Sequence, residues 1–307
     1  MKYSYILIIG FLLFATTCKS QSEENRSSLN RPTIETLIQN LKDSKSDQIM
    51  VIAHRGDWRN APENSLQAVQ NSIEMGVDMV EIDIRETKDG QLILMHDYSI
   101  NRTTNGKGAV KDWTLDSLKT LNLVDESGSP TEHKIPTLEE VLLLSKDKIL
   151  INLDKSYNLF DKCYEILKKT GNFQQVVIKG TKTRKQVESE YGHYLNDVHF
   201  MPIIRLSNRK AKATIDDYMN HRLPIAFEFI VPRDSLRLIG SFENIRKKGA
   251  SVWMNSFRKK MNGGHDDEKA ALDPTVYDWY IENNINMIQT DRPELLINYL
   301  REKGLHW

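Results

Sequence analysis

The chain has 307 residues with 42 basic and 42 acidic side chains; 39% of residues are hydrophobic and 27% charged. Balanced charge excludes the whole-molecule electrostatic footprint of a nucleic-acid-binding protein and a general attraction to anionic membranes, and the composition excludes a disordered chain. The length suits one large domain or two small ones, so the pattern along the chain must decide.

Residues 1–18 read as a signal peptide. Lys2 precedes an apolar run from Ile6 to Ala15, which is too short to span a bilayer. Ala15, Thr16 and Thr17 then lead to Cys18, where a bacterial lipoprotein carries its lipid. Both simple cleavage and lipidation of Cys18 fit, so the protein is expected to be exported, periplasmic or on the cell surface, with membrane attachment through Cys18 in the second case. Residues 19–48 are polar at first and read as a tether with a short amphipathic helix, Ile34-Leu37-Ile38-Leu41. Cys163 is the one other cysteine, so no internal disulfide is expected and Cys163 reads as a small buried residue.

From residue 49 to 307, short β-branched runs alternate with helix-period stretches. The expected strands are Met50–Ala53, Met79–Ile84, Ile149–Leu153, Val176–Lys179, Phe200–Ile204, Ile225–Ile230, Val252–Met254 and Asn286–Gln289. Helical stretches between them include Ser65–Met75, Leu138–Ser145, Leu159–Lys169, Asp234–Lys248 and Thr275–Glu282. Such alternation implies parallel right-handed units, and eight strands at this length imply a TIM (β/α)8 barrel. An open doubly wound sheet would bring a glycine-rich turn after the first strand, and Arg55-Gly56-Asp57 is not one. One insertion interrupts the barrel after the second strand. Lys88-Asp89-Gly90 reads as a tight turn, Gln91–Met95 as a returning hairpin strand, and Tyr98 to about Pro136 as a long polar loop with a short helix at Leu115–Leu121.

Alternation along a strand puts Glu81 and Asp83 on one face, and likewise Asn152 and Asp154. Three carboxylates converging at a barrel mouth repel unless a cation or proton intervenes, and oxygen-only donors favour Ca²⁺ or Mg²⁺ over zinc. His54 and His96 each end a strand, and two imidazoles beside such a cluster can trade protons with a substrate.

In order and spacing, His54-Arg55-Gly56, Pro62-Glu63-Asn64-Ser65, Glu81-Ile82-Asp83, His96-Asp97 and Arg102-Thr103-Thr104-Asn105-Gly106-Lys107-Gly108 resemble the glycerophosphodiester phosphodiesterase family. The resemblance continues at Ile135-Pro136-Thr137-Leu138, Val252-Trp253-Met254-Asn255 and Ile288-Gln289-Thr290-Asp291-Arg292-Pro293. It implies a barrel with a hairpin insertion, and metal-dependent hydrolysis of a small glycerophosphodiester to glycerol phosphate and an alcohol. Glu81, Asp83 and Asp154 would bind the divalent ion with Glu63 nearby, His54 and His96 would be the acid–base pair, and Arg55 would hold the phosphate. The family's Glu-x-Lys after the third barrel strand is here Asp154-Lys155-Ser156. Strand alternation would point Lys155 away from Asp154, so Lys179 is expected to supply the cation on the substrate. Glu228 and Trp253 are further candidates for the mouth, with burial the commoner use of a tryptophan. A lysolipid-cleaving, phospholipase D-like or cyclising enzyme would be expected to show an apolar rim, which the polar insertion lacks. A non-catalytic surface binding protein would be expected to have lost some of these groups.

Overall fold

The computed structural model describes residues 31–307, so the expected signal segment, with Cys18, and residues 19–30 of the tether lie outside the described residues. Nine strands form: β1 (Met50–His54), β2 (Met79–Glu86), β3 (Leu92–Leu94), β4 (Leu150–Asp154), β5 (Val176–Gly180), β6 (His199–Arg205), β7 (Ala226–Ile230), β8 (Ser251–Asn255) and β9 (Met287–Thr290). The helices are α1 (Ile34–Lys42), α2 (Leu66–Met75), α3 (Leu115–Thr120), α4 (Leu138–Ser145), α5 (Phe160–Thr170) and α6 (Arg184–Tyr191). They continue with α7 (Ala211–His221), α8 (Phe242–Lys248), α9 (Asp267–Ala270), α10 (Asp278–Glu282) and α11 (Pro293–Glu302). Among the described residues no helix is long and apolar enough to cross a membrane.

Eight strands run parallel, each paired to its neighbours, and β1 pairs with both β9 and β2. The sheet is therefore closed, as the alternating pattern predicts. β3 is the exception, lying antiparallel to the far half of β2 with Ile84 opposite Leu94 and Glu86 opposite Leu92. That is the expected hairpin, turned at Gly90, whose φ of +79° a side chain would resist. The following segment packs Ile93, Met95, Ile100, Val110, Leu118, Leu123 and Ile135 into a small cluster of its own.

Between barrel and helices the main core gathers one face of each strand, including Val51, Ala53, Val80, Ile82, Ile151, Leu153, Ile178, Phe227 and Phe229. The alternate residues point into the barrel. Cys163 is buried in the main core as a free thiol. The local signals explain the elements. In α2 the Ser65 hydroxyl accepts from the Ala68 amide, Ala68, Val69 and Ile73 face the core, and Gly76 ends the helix at φ +89°. Two expected helices are shorter than their periodicity. The 234–248 stretch is irregular up to a 3₁₀ turn at Arg237–Ser241, with helix only from Phe242. The 275–282 stretch begins as a 3₁₀ turn, Pro274–Tyr277, before α10.

The expected short helix forms as α1, with Leu37 and Leu41 about 1% exposed against the barrel. At the same N-terminal end of the strands, Asp78 accepts from the Val51 amide (2.7 Å) and meets His306 Nε2 at 3.0 Å, fixing the C-terminal residues to the barrel.

His199 opens β6 with its Nε2 buried and without a hydrogen-bond partner. Burial, helped by Lys42, pushes its pKa down to about 4. Because the folded value lies below the unfolded value near 6.5, stability is full above pH 6.5 and falls as pH drops toward 4, by about 3 kcal/mol. His199→Gln should flatten the pH dependence of denaturant midpoints between pH 6.5 and 4; an unchanged slope would show that other groups govern it.

Candidate active site

The inward positions at the C-terminal ends of β1, β2, β4, β5 and β7 are polar, and the register brings them together. Glu81 pairs with Asn152, and Asp83 with Asp154, across β2 and β4. Glu81, Asp83 and Asp154 each place a carboxylate oxygen within 4.8 Å of the others. Glu81 and Asp83 are 1% exposed, whereas Asp154 stands at the open side.

Two lysines enter this cluster. Lys179 Nζ lies 3.8 Å from Glu81, 3.9 Å from Asp154 and 3.2 Å from Glu228. These carboxylates hold its pKa up although burial is the largest effect and opposes them. Lys155 Nζ lies 2.5 Å from Asp83 and 3.7 Å from Asp154. The expectation that Lys155 faces away is therefore corrected. β4 ends at Asp154, and Lys155 turns to φ +58°, where strand alternation no longer applies. Lys155 is also the more open cation, with its side chain 21% exposed against 3% for Lys179.

Charge is unevenly divided among the acids. Burial raises the Asp83 pKa, but Lys155 and Arg55 more than offset it and hold Asp83 well below the usual range. Burial raises Glu81 to about 8, and the neighbouring Asp83 adds to the rise. The cluster thus lacks enough positive charge to ionise every carboxyl. Hard oxygen donors, close together and short of cationic charge, fit a divalent ion.

Glu63 was expected near that ion, and this is corrected. Its oxygens accept from Arg55 Nη1 (3.0 Å) and from Arg102 Nη1 and Nη2 (2.6 and 2.8 Å), so two guanidinium groups occupy it. Arg55 itself sits at φ +60°, which swings its side chain between Glu63 and Asp83. Its Nε is 3.4 Å from Asp83 yet makes no aligned hydrogen bond, leaving a buried N–H unspent. The next residue must be glycine, because a Cβ at Gly56 would meet Ala68 at 2.8 Å and its φ is +77°.

Each imidazole, His54 at the end of β1 and His96 two residues past β3, has a carboxylate behind it. His54 Nδ1 meets Asp291 Oδ1 at 2.7 Å, Trp58 Nε1 donates to the same oxygen at 2.7 Å, and Phe257 stacks on the ring at 3.9 Å. With Nδ1 donating to Asp291, Nε2 carries the lone pair and lies 4.0 Å from Glu81. Burial lowers the His54 pKa, and Asp291 only partly offsets this. His96 Nδ1 meets Asp97 Oδ1 at 2.6 Å, and Arg102 donates to both Asp97 oxygens. Arg85 donates to the His96 and Asp97 carbonyls and fixes the hairpin end.

Glu228 is buried, accepting from Asn255 and facing Lys179. Trp253 is 0% exposed, donates to Asn255 and lies 5.6 Å from Lys179 Nζ. Of the two uses open to Trp253, substrate contact and burial, the structure has the second, a packing position beneath Lys179. The supporting groups Asp291, Asp97, Asn64 and Arg102 escaped residue-level reasoning. Asn64 clamps Asp83 twice, donating to Oδ2 and accepting from its amide, both at 3.0 Å. The signal for these four lay in the motifs His96-Asp97, Glu63-Asn64, Arg102-Thr103 and Thr290-Asp291, which carry them.

A closed parallel barrel with convergent acids, cations and imidazoles at its C-terminal mouth is the architecture of a barrel enzyme. The family model described as "Glycerophosphoryl diester phosphodiesterase family" matches residues 54–219, and a domain of unknown function matches residues 200–300. A glycerophosphodiester phosphodiesterase of Caldanaerobacter subterraneus subsp. tengcongensis is 31% identical over 272 residues, covering 83% of this chain and 99% of the relative. Among solved structures, a glycerophosphoryl diester phosphodiesterase from Parabacteroides distasonis superposes with TM-score 0.73 at 22% identity, covering 89% of this chain and 93% of the other. An Oleispira antarctica phosphodiesterase, solved with the product sn-glycerol-3-phosphate, gives 0.62 at 19% identity, covering 84% and 99%. The chain belongs to the glycerophosphoryl diester phosphodiesterase family.

The two lysines should separate on substitution. Lys155→Met should raise KM for a phosphodiester about tenfold, a loss of one charged contact. Lys179→Met should instead lower stability by about 3–5 kcal/mol in denaturant unfolding, because it strands buried carboxylates. Equal effects on both readouts would contradict the placement of the two ammonium groups.

Proposed function

We propose that the protein hydrolyses small glycerophosphodiesters to glycerol phosphate and an alcohol, in a divalent-metal-dependent reaction run by His54 and His96. One observation carries this reading: a buried, Asp291-backed imidazole aims its free nitrogen toward a carboxylate cluster short of positive charge. The named relatives support the substrate class, and the product complex of the Oleispira antarctica phosphodiesterase supports the product.

His54, held neutral by burial, takes the proton of the attacking group, either water directly or a neighbouring glycerol hydroxyl, in which case the cyclic phosphodiester formed is then opened by water to glycerol phosphate. Asp291 stabilises the imidazolium that results. His96, oriented by Asp97 on the hairpin, protonates the departing alkoxide. Arg55 and Lys155 bind the phosphoryl oxygens, with Arg55 offering the Nε–H that has no aligned partner. Glu81, Asp83 and Asp154 would hold the Ca²⁺ or Mg²⁺, which would supply Lewis-acid charge neutralisation at the phosphoryl oxygens. Lys179 and Glu228 form the floor that fixes Glu81 and Asp154. The location belongs to the same proposal: the run from Lys2 through Ile6–Ala15 to Cys18 supports export, with lipidation at Cys18.

Chelation should abolish release of glycerol phosphate from glycerophosphocholine, and added Ca²⁺ or Mg²⁺ should restore it; turnover that survives chelation would remove the metal from the reaction. His54→Ala and His96→Ala should each lower kcat about a hundred- to ten-thousand-fold. A variant with full activity would exclude that residue as acid or base.

A further inference from the structure

The neutral total charge hides a strong local imbalance. Arg205 ends β6, and the loop after it carries Arg209 and Lys210, all three exposed. The loops after β7 and β8 add Arg233, Arg237, Arg258, Lys259 and Lys260, also exposed. Across residues 205–210, 231–241 and 256–266 these eight cations meet two carboxylates, Asp234, which lies 3.7 Å from His265, and the buried Asp266, which caps α9. Among the described residues none of the eight forms an ion pair.

The three loops form one continuous surface. The Leu206 amide donates to the Ile230 carbonyl, the Val231 amide to Met261, and the Gly263 amide back to Val231. All three follow the C-terminal ends of adjacent strands, so the cations line one half of the rim around the catalytic mouth.

We propose that this half-rim docks the barrel onto a bilayer presenting anionic phospholipid head groups. A single diester carries one negative charge and needs one or two partners, whereas eight cations spread over three loops match an extended array of phosphates. Five of the eight are arginines, the side chain best shaped for phosphate. The one phenyl ring in the three loops, Phe257, is stacked on His54 and is unavailable for stacking on nucleic-acid bases. Docking would hold the mouth against the surface where deacylated phospholipids, the substrates of the proposed reaction, are released.

The test uses the full chain with Cys18→Ser, so that no lipid anchor contributes, in co-sedimentation with phosphatidylcholine vesicles with and without phosphatidylglycerol. Binding should require phosphatidylglycerol and weaken as salt is raised. Each basic residue near such a surface is worth about fivefold in affinity, so Arg209→Gln, Arg233→Gln and Lys260→Gln together should weaken binding about a hundredfold. Turnover of soluble glycerophosphocholine by this triple variant should stay within about twofold of the parent, which keeps the docking claim separable from the reaction. Lys45→Gln, Lys168→Gln and Lys248→Gln, away from the mouth, should leave vesicle binding unchanged. Equal partitioning onto both vesicle types would overturn the proposal, as would equal losses from both triple variants, or binding of a single-stranded oligonucleotide without binding of vesicles.

Discussion

Repulsion among Glu81, Asp83 and Asp154 is the constraint around which the barrel mouth is organised. Three carboxyl groups within 4.8 Å of one another cannot all ionise in a buried site without compensation. Lys155, Lys179 and Arg55 offset part of that charge, mostly at Asp83 and Asp154, and Glu81 is left near its protonated form. Buried ion pairs of this kind are poor sources of stability, because desolvation consumes most of the attraction. Their retention makes better sense as preparation for a ligand that carries the missing charge.

A second layer holds these groups still. Asn64 fixes Asp83, Asn255 fixes Glu228, and Asp291 and Asp97 fix the two imidazoles. Several of these positions need unusual backbone. Arg55, Asn64 and Lys155 all have φ near +60°, a conformation that costs about 1 kcal/mol or more for a residue with a Cβ. Each of the three turns its side chain toward Asp83, so local strain and site geometry coincide.

The barrel was legible because its evidence is periodic: β-branched runs at regular intervals, each followed by a helical face, leave few topologies open. The acid cluster was legible for the same reason, since Glu81-x-Asp83 and Asn152-x-Asp154 obey strand alternation. What failed was reasoning carried one residue past a strand. Lys155 lies beyond the last hydrogen-bonded residue of β4, and a left-handed turn reverses the side that alternation assigns to it. Glu63 failed differently, since a carboxylate beside a suspected ion is equally a partner for arginine, and only coordinates reveal Arg102 at 2.6 Å. Asp291 lies 237 residues from His54, a separation that no spacing rule bridges.

The hairpin insertion divides the labour of the reaction between two pieces of protein. His54 ends β1 on the barrel wall, whereas His96, Asp97 and Arg102 ride on a segment with a separate apolar cluster around Ile100, Leu118 and Ile135. In the proposed reaction, collection of a proton from the nucleophile and delivery of one to the departing alcohol would thereby fall to modules that can vary independently. Remodelling the insertion could retune which alcohols leave without disturbing the apparatus that starts the attack.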